Sequence, residues 1–310
     1  MDDYSPDRLQ ERRAEARRIR HMRRRRLLAT LALLAVAALG VVAIAVRSGA
    51  GSSRPSSTAG ESTRGPSRGS GSPHRHSQLV RNARAQPGWQ RHTGPVPILV
   101  YHALGTAPPT EAYPGLYVSP REFREEMGWL ARSGYQGVTL DEVEHAWYEH
   151  GTLPPKPIVI TFDNGYPPQV RFAPSVLDKY GWPAVLFEIT VEHLTPPYIR
   201  PIIAKGWEVD SHSATHPDLT TMSGAELAYQ VAGSRRFLQR TYKVPSNNFC
   251  YPSSLYDSAT IAAVRAAGYT GAVTEHPGYA SRNRPYELNR YEIEGGQGVS
   301  GLASDLSSPG

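Results

Sequence analysis

Residues 158–166 read IVITFDNGY, and the fold assignment rests on this stretch. The run Ile158–Phe162 is almost wholly apolar and β-branched, which is typical of a strand covered on both faces. Asp163 and Asn164 follow at its end, and Gly165 permits a sharp turn there. Because α/β folds place their active groups at the carboxyl ends of parallel strands, we expect chemistry at this strand end.

Apolar strand candidates alternate with capped helices on both sides of this stretch. Pro97–Tyr101 is a short apolar run that predicts a strand. Ser119–Glu122 and Thr139–Glu142 each place a capping hydroxyl three residues before a glutamate, which predicts two helix starts. Further strands are predicted at 184–189, 207–210, 248–251 and 270–274, and further helices at 170–180, 198–205, 223–242 and 258–267. The alternation over about 200 residues favours a parallel sheet, either a barrel or doubly wound.

A second polar segment, SHSATHP at 211–217, follows directly on the predicted strand 207–210. His212 and His216 are four residues apart and would face one way in a helical turn, an arrangement used for divalent metals. A lone pair with this spacing is more often two unrelated histidines. Meeting Asp163 and its neighbour at the same sheet edge, the pair would form a metal site at which a water is activated and Asp163 acts as base.

Residues 96–293 resemble the polysaccharide deacetylases, family 4 of the carbohydrate esterases, which carry the NodB homology domain. The resemblance rests on TFDNGY followed about fifty residues later by SHSATHP, where the family reads TFDDGY and SHxxHP. The opening VPILVYH at 96–102 is similar to the subgroup that acts on surface poly-N-acetylglucosamine. The resemblance implies an α/β fold, a distorted (β/α) barrel, and a hydrolase that removes N-acetyl groups from an amino-sugar polymer of the cell wall or cell surface.

The resemblance also implies roles for individual residues. Asp163 matches the catalytic base, and His212 and His216 match the two metal-binding histidines. Asn164 occupies the place of a metal-binding aspartate. The implied cofactor is a divalent metal, with zinc expected and cobalt or nickel as alternatives, and the implied partner is an N-acetylated polysaccharide.

Two further family positions are only partly matched. Tyr251, Pro252 and Ser253 fall at the family's groove motif, and a backbone N–H near Ser253 is expected to serve the oxyanion. Arg290 stands where many members have the histidine that acts as general acid, so the acid is unassigned. His102, at the end of the first strand, is an alternative accessory residue of the same pocket.

The asparagine raises a second hypothesis about function. Asn164 offers one neutral oxygen where a carboxylate would carry charge, so metal affinity should fall. The domain is then either a weakened enzyme or a non-catalytic module that binds cell-surface glycan, and cleavage of acetyl esters is a third possibility at the same site. Cys250 is expected to be a small buried hydrophobe, and Glu275 is a candidate for the pocket wall.

The N-terminal third has a different composition. Residues 1–95 carry 18 Lys and Arg against 6 Asp and Glu, a net charge of +12, whereas the other 215 residues carry 16 against 22, a net of −6. A folded part with a negative net charge argues against a nucleic-acid partner. The sequence also lacks a GxxxxGK[ST] phosphate-binding loop.

The expected organisation has four parts. Residues 1–26 form a basic cytoplasmic tail, 27–46 a transmembrane anchor, 47–95 a disordered Ser/Gly/Pro/Arg linker, and 96–310 the deacetylase-like domain. The uncharged run at 27–46 is long enough for about 30 Å of bilayer. The arginines concentrated before it predict a single-pass cell-membrane protein with its domain outside. A cleaved signal peptide with a secreted domain is the alternative.

Overall fold

The computed structural model describes residues 86–191 and 194–307. Its strands are β1 Gln90–Arg91, β2 Ile98–Tyr101, β3 Ala103–Leu104, β4 Tyr117–Val118, β5 Gln136–Val138, β6 Thr152–Leu153, β7 Pro157–Asn164, β8 Val185–Glu188, β9 Glu208–Ser211, β10 Asn248–Cys250, β11 Gly271–Val273 and β12 Tyr291–Glu292. Its helices are α1 Pro120–Arg132, α2 Leu140–Tyr148, α3 Pro167–Leu177, α4 Pro196–Ala204, α5 Gly224–Ala228, α6 Ser234–Tyr242, α7 Ser258–Ala266 and α8 Gly298–Ser307.

The main sheet has eight strands, and each pairs in parallel with its neighbours. Seven follow the order β11-β10-β9-β8-β7-β2-β12, and β5 pairs with β7 beside this path. β7 is the longest strand and is buried along its whole length. The β-branched residues of β7 suit this position because both of its faces are covered.

The segment around residues 288–292 joins the two edges of the sheet. Leu288 forms a parallel bridge with Val273 at one edge. Tyr291 pairs with Leu99 of β2 at the other edge. The sheet therefore curls into a distorted barrel, as the sequence resemblance implied, although neither β12 nor α8 was anticipated from the sequence pattern.

Alternation along the strands divides the apolar residues into two cores. Ile160 and Leu186 belong to the larger cluster between the sheet and its covering helices. Val159 and Val185, one residue earlier in each strand, belong to a second cluster. Since successive side chains point to opposite faces of a strand, this second cluster fills the inside of the barrel.

Local sequence signals account for most helix boundaries. The hydroxyls of Ser119 and Thr139 accept the backbone N–H groups of Glu122 and Glu142, and both glutamates return the bond, so both predicted capping boxes are confirmed. The helix predicted at 223–242 is interrupted, because residues Tyr229–Gly233 adopt a π-helical turn between α5 and α6.

The described part of the chain begins at residue 86, before the domain boundary expected at residue 96. Gln90–Arg91 pairs antiparallel with Thr152–Leu153 and falls within the range 47–95 that was expected to be linker. Within residues 86–191 and 194–307, no helix has the length and apolarity needed to cross a bilayer. The expected tail, the anchor at 27–46 and most of the linker lie outside the described residues.

Candidate active site

A buried ion pair holds the predicted base in place. Arg290 is fully buried, and its guanidinium donates to both carboxylate oxygens of Asp163, at 2.8 Å and 2.7 Å. The same group donates to the Thr161 hydroxyl at 2.9 Å, to the Thr274 carbonyl at 2.9 Å and to Cys250 Sγ at 3.1 Å. Arg290 is therefore a central part of the site rather than an accessory to it.

The ion pair determines the charge of the base. Burial alone would raise the pKa of Asp163, but the charge and hydrogen bonds of Arg290 outweigh burial and hold that pKa well below its usual range. Arg290 can fill this role because a guanidinium stays protonated and its planar fork matches a carboxylate. Asp163 is consequently a carboxylate at any ordinary pH.

The two predicted metal-binding histidines meet. Nε2 of His212 and Nε2 of His216 lie 3.1 Å apart, and both rings are buried. Nδ1 of His212 lies 2.9 Å from the Cys250 carbonyl, which can only accept, so Nδ1 carries the proton and Nε2 presents a lone pair to His216. Burial lowers the pKa of His212, and the nearby Asp163 partly offsets this, so the imidazole is neutral as a metal ligand must be.

The histidines meet through a loop, and the helical turn considered from their spacing is wrong. Residues 212–217 contain no helix, and both Ser213 and His216 have left-handed backbones, with φ of 68° and 59°. The Ser211 hydroxyl accepts the Ser213 N–H at 3.1 Å, and the Ser213 hydroxyl accepts the His216 N–H at 2.9 Å. These short serine contacts stabilise the loop that returns His216 toward His212.

Asn164 adds an unsatisfied polar group to the same strand end. It is 1% exposed, and neither its Oδ1 nor its Nδ2 has a hydrogen-bond partner among the described residues. Its neighbour Asp163 places Oδ2 4.0 Å from His212 Nε2. Two imidazole nitrogens 3.1 Å apart suit one cation about 2.0–2.1 Å from each, and an amide oxygen is an acceptable further ligand. The residues present therefore fit a divalent cation.

Cys250 and His102, to which the sequence analysis gave only minor roles, both lie in the pocket. Cys250 is fully buried in the inner apolar cluster, as expected, and its Sγ in addition donates to Asp163 Oδ2 at 3.3 Å. His102, as considered, lies at the mouth, with its ring 3.8 Å from Glu275 and 3.7 Å from Glu292. Ligand atoms of His102, Asp163 and Glu275 lie within 4.8 Å of one another, as do those of Asp163, His212 and Cys250.

Tyr251, Pro252 and Ser253, the residues at the family's groove motif, form the turn after β10 and differ in what they can offer a ligand. Tyr251 is 1% exposed, donates its N–H to the Val273 carbonyl and its hydroxyl to the Tyr286 carbonyl, and so offers nothing to a ligand. Pro252 has no N–H. Ser253 has a left-handed backbone with φ of 52°, and the described residues offer its N–H no acceptor. Ser253 is the member of this group that can donate to an oxyanion.

Comparisons with known proteins agree on one family. Residues 150–272 match the family model for polysaccharide deacetylase. A Bacillus subtilis (strain 168) protein, YxkH, which is named as a polysaccharide deacetylase, is 29% identical over 219 residues that cover 69% of this chain and 76% of that protein. The poly-beta-1,6-N-acetyl-D-glucosamine N-deacetylase of Escherichia coli (strain K12) is 37% identical over 62 residues, which are 20% of this chain and 9% of that enzyme.

The fold comparison leads to the same family. The Streptococcus pyogenes deacetylase PplD, solved in complex with acetate, superposes with a TM-score of 0.65 at 25% identity, covering 69% of this chain and 99% of that one. The matched region includes the strand ends that carry Asp163 and His212. The chain therefore contains a polysaccharide deacetylase domain, which the family model matches over residues 150–272.

Proposed function

We propose that this chain is a metal-dependent hydrolase that removes N-acetyl groups from an amino-sugar polymer. The observation that carries the proposal is the meeting of an ionised, arginine-held carboxylate with two facing imidazole nitrogens. Asp163 lies at the end of β7, and His212 follows β9, so the parallel sheet brings a base and a ligand pair from distant segments to one mouth.

The chemistry divides between the cation and the chain's own groups. A divalent cation on His212, His216 and Asn164 would polarise the acetamide carbonyl and make a neighbouring water more acidic. Asp163 is a weak base because Arg290 holds its pKa low, and so it depends on that increased acidity. Asp163 Oδ2 accepts a proton as the water oxygen bonds to the acetyl carbon; the C–N bond then breaks and leaves acetate and a free amine.

Two other groups have roles in this scheme. The Ser253 N–H donates to the carbonyl oxygen as that oxygen gains negative charge, and a backbone donor needs no particular side chain. His102 lies beside Asp163 and Glu275 and is the proposed proton donor to the leaving amine. Removing His102 should therefore slow amide cleavage more than it weakens binding of the polymer.

The substrate class follows from the relatives and the site together. The Escherichia coli relative is named for poly-beta-1,6-N-acetyl-D-glucosamine, and the Streptococcus pyogenes deacetylase was solved with acetate, which is the expected product of such a reaction. We assign this chain the same class, an N-acetylated polysaccharide. Cleavage of an acetyl ester would use the same groups and is distinguished by offering both substrates.

We further propose that the enzyme works at the outer face of the cell membrane, anchored by residues 27–46. The support is the uncharged run itself and the ten arginines in the twenty residues before it, against three in the twenty after it. Protease added to intact cells should degrade the C-terminal domain. A domain that is protected until the cells are lysed would contradict the orientation, and a domain found in the medium would indicate cleavage.

The test is acetate release by the full chain after removal of metal and reconstitution with Zn²⁺, Co²⁺ or Ni²⁺. N-acetylglucosamine oligomers are the substrate. We expect activity to disappear with chelator, to return with at least one metal, and to fall at least about 100-fold in Asp163→Asn. Asp178→Asn, the same substitution at a half-exposed surface aspartate, should match the wild type.

The rival function is a non-catalytic glycan-binding module, which the neutral side chain of Asn164 favours. It predicts saturable binding of the polymer that neither chelator nor Asp163→Asn changes. Binding of that kind, with no acetate released under any metal, would overturn the proposed enzyme.

A further inference from the structure

A second group of acidic side chains lies where α2 meets β9. Glu144 is 2% exposed in α2, and Asp210 is 2% exposed in β9. Glu208, also in β9, accepts the backbone N–H groups of Leu140 and Asp141, at 2.9 Å and 2.6 Å. Among the described residues, no Lys or Arg forms an ion pair with Glu144, Glu208 or Asp210. The group therefore carries acidic oxygens without the kind of cation that Asp163 has.

Two oxygens of this group and one of the neighbouring Asn248 in β10 have no hydrogen-bond partner among the described residues: Glu144 Oε1, Asp210 Oδ2 and Asn248 Oδ1. Asn248 is fully buried, and its Nδ2 also lacks a partner. A buried polar atom without a partner costs about 1–3 kcal/mol, so several in one place indicate a missing ligand.

The strand register brings these oxygens together. Asn248 pairs with Gly271 of β11, and its backbone N–H donates to Asp210 Oδ1 at 3.2 Å. A Cβ added to Gly271 would lie 2.4 Å from Glu144 Oε1 and 2.5 Å from Asn248 Oδ1. Both oxygens thus crowd the same side of Gly271, where only a residue without a side chain leaves them room.

We propose that oxygens of Glu144, Asp210 and Asn248 bind a hard divalent cation, Ca²⁺ or Mg²⁺, beside Gly271. All three donors are oxygens, which such cations prefer over the nitrogen and sulfur ligands of transition metals. Two carboxylates would neutralise the charge of the ion. This site is separate from the histidine pair and goes beyond the proposed deacetylation.

One of the three proposed ligands, Asp210, lines a surface cavity. A cavity of about 440 Å³ is lined by Asp141, Glu208 and Asp210 and is open to the surface. The competing arrangement is the same oxygens bridged by water alone. The two arrangements differ in how the protein responds to added cation.

The experiment measures the Tm of the chelator-treated full chain as Ca²⁺ or Mg²⁺ is added to millimolar concentration. We expect a saturable rise with at least one ion, because a ligand that binds only the folded state stabilises it. Asp210→Asn should weaken the apparent affinity at least about 10-fold. Asp178→Asn is the matched control and should respond like the wild type, and His212→Ala should retain the response because its side chain lies at the other site.

Three results would overturn the proposal. A wild type that responds to neither ion would mean that water alone occupies the cluster. An unchanged affinity in Asp210→Asn, or a response lost in His212→Ala, would place the cation elsewhere. Should Asp210→Asn fail to fold, Glu144→Gln in equilibrium dialysis with radioactive Ca²⁺ gives the same decision. Deacetylation is not part of the readout, so its failure would leave this result unaffected.

Discussion

Two neighbouring strand ends each bury a carboxyl group and give it opposite properties. Asp163 ends β7 and Glu188 ends β8; the register places Glu188 directly beside Asn164, and both carboxyl residues are fully buried. Asp163 receives two charged hydrogen bonds from Arg290, and its pKa is held low. Among the described residues no cation pairs with Glu188, and burial raises its pKa to about 8.

The difference shows that pairing, rather than depth, decides the charge of a buried acid. Glu188 Oε1 accepts only the Leu194 N–H, and its Oε2 has no partner among the described residues. Such a group stays neutral because burial removes the water that would hydrate its charged form and the protein supplies few hydrogen bonds in place of that water. Asp163 stays ionised because Arg290 donates to both of its oxygens, and this charge is what the proposed reaction requires.

The largest expected effect comes from removing that pairing. Arg290→Met would leave Asp163 buried without a counter-ion, which costs about 3–5 kcal/mol of the free energy of unfolding. Urea denaturation with and without the substitution measures it. We also expect acetate release to be lost, because the carboxyl would tend to take up a proton.

Arg121→Met is the matched control for this change. The Arg121 side chain is 78% exposed in α1 and pairs with Glu125, so its loss should cost less than about 1 kcal/mol. Equal losses at the two sites would mean that the buried pair has no special weight, and the comparison of the two strand ends would fail.

A smaller effect is expected at Glu188 and depends on pH. Its pKa is about 8 in the folded protein against an ordinary 4.5, so the folded state holds more protons between those values and stability falls as pH rises through that window. Glu188→Gln cannot ionise and removes this loss. It should stabilise the variant over the wild type by a few kcal/mol near pH 8, with about 5 kcal/mol as the upper limit at about 1.4 kcal/mol per pH unit across the window.

The pH profile carries its own control. At pH 4 the carboxyl of Glu188 is mostly protonated in both the folded and the unfolded protein. Any difference in urea midpoint between wild type and variant at pH 4 therefore comes from the substitution itself and serves as the baseline. A wild type and variant whose stabilities run parallel from pH 4 to about 8 would contradict the neutral state of Glu188.

The smallest expected effect is at Cys250, whose Sγ contacts both Asp163 and Arg290. Cys250→Ala removes a weak S–H donor to Asp163 Oδ2 and one acceptor of Arg290, and should cost about 1 kcal/mol of stability. Acetate release should change less than about 10-fold, since the two Arg290–Asp163 bonds remain. If Cys250→Ala instead lost bound Zn²⁺, that result would show that the thiol is a metal ligand.

Local patterns allowed much of the fold to be predicted. The β-branched run Ile158–Phe162 and the capping boxes at Ser119 and Thr139 act within a few residues, so they can be recognised without the rest of the chain. The meeting of the polar residues at the end of β7 and after β9 could also be predicted, because the carboxyl ends of parallel strands lie at one edge of the sheet.

Contacts between distant residues could not be predicted from such patterns. Arg290 lies 127 residues from Asp163, and its role depends on the segment around 288–292 joining the two edges of the sheet. Cys250 looked like an apolar strand residue because its neighbours across the barrel were unknown. The His212 and His216 pair was expected in a helical turn, whereas left-handed backbone at Ser213 and at His216 itself brings the rings together.

The central claim is that His212, His216 and Asn164 hold one cation beside Asp163. The direct measurement is the affinity of the metal-free full chain for Co²⁺, followed by its visible absorption. We predict one bound ion, loss of binding in His212→Ala, and about 10-fold tighter binding in Asn164→Asp, which restores a charged oxygen. Equal Co²⁺ binding in wild type and His212→Ala, with no change in Asn164→Asp, would contradict the account.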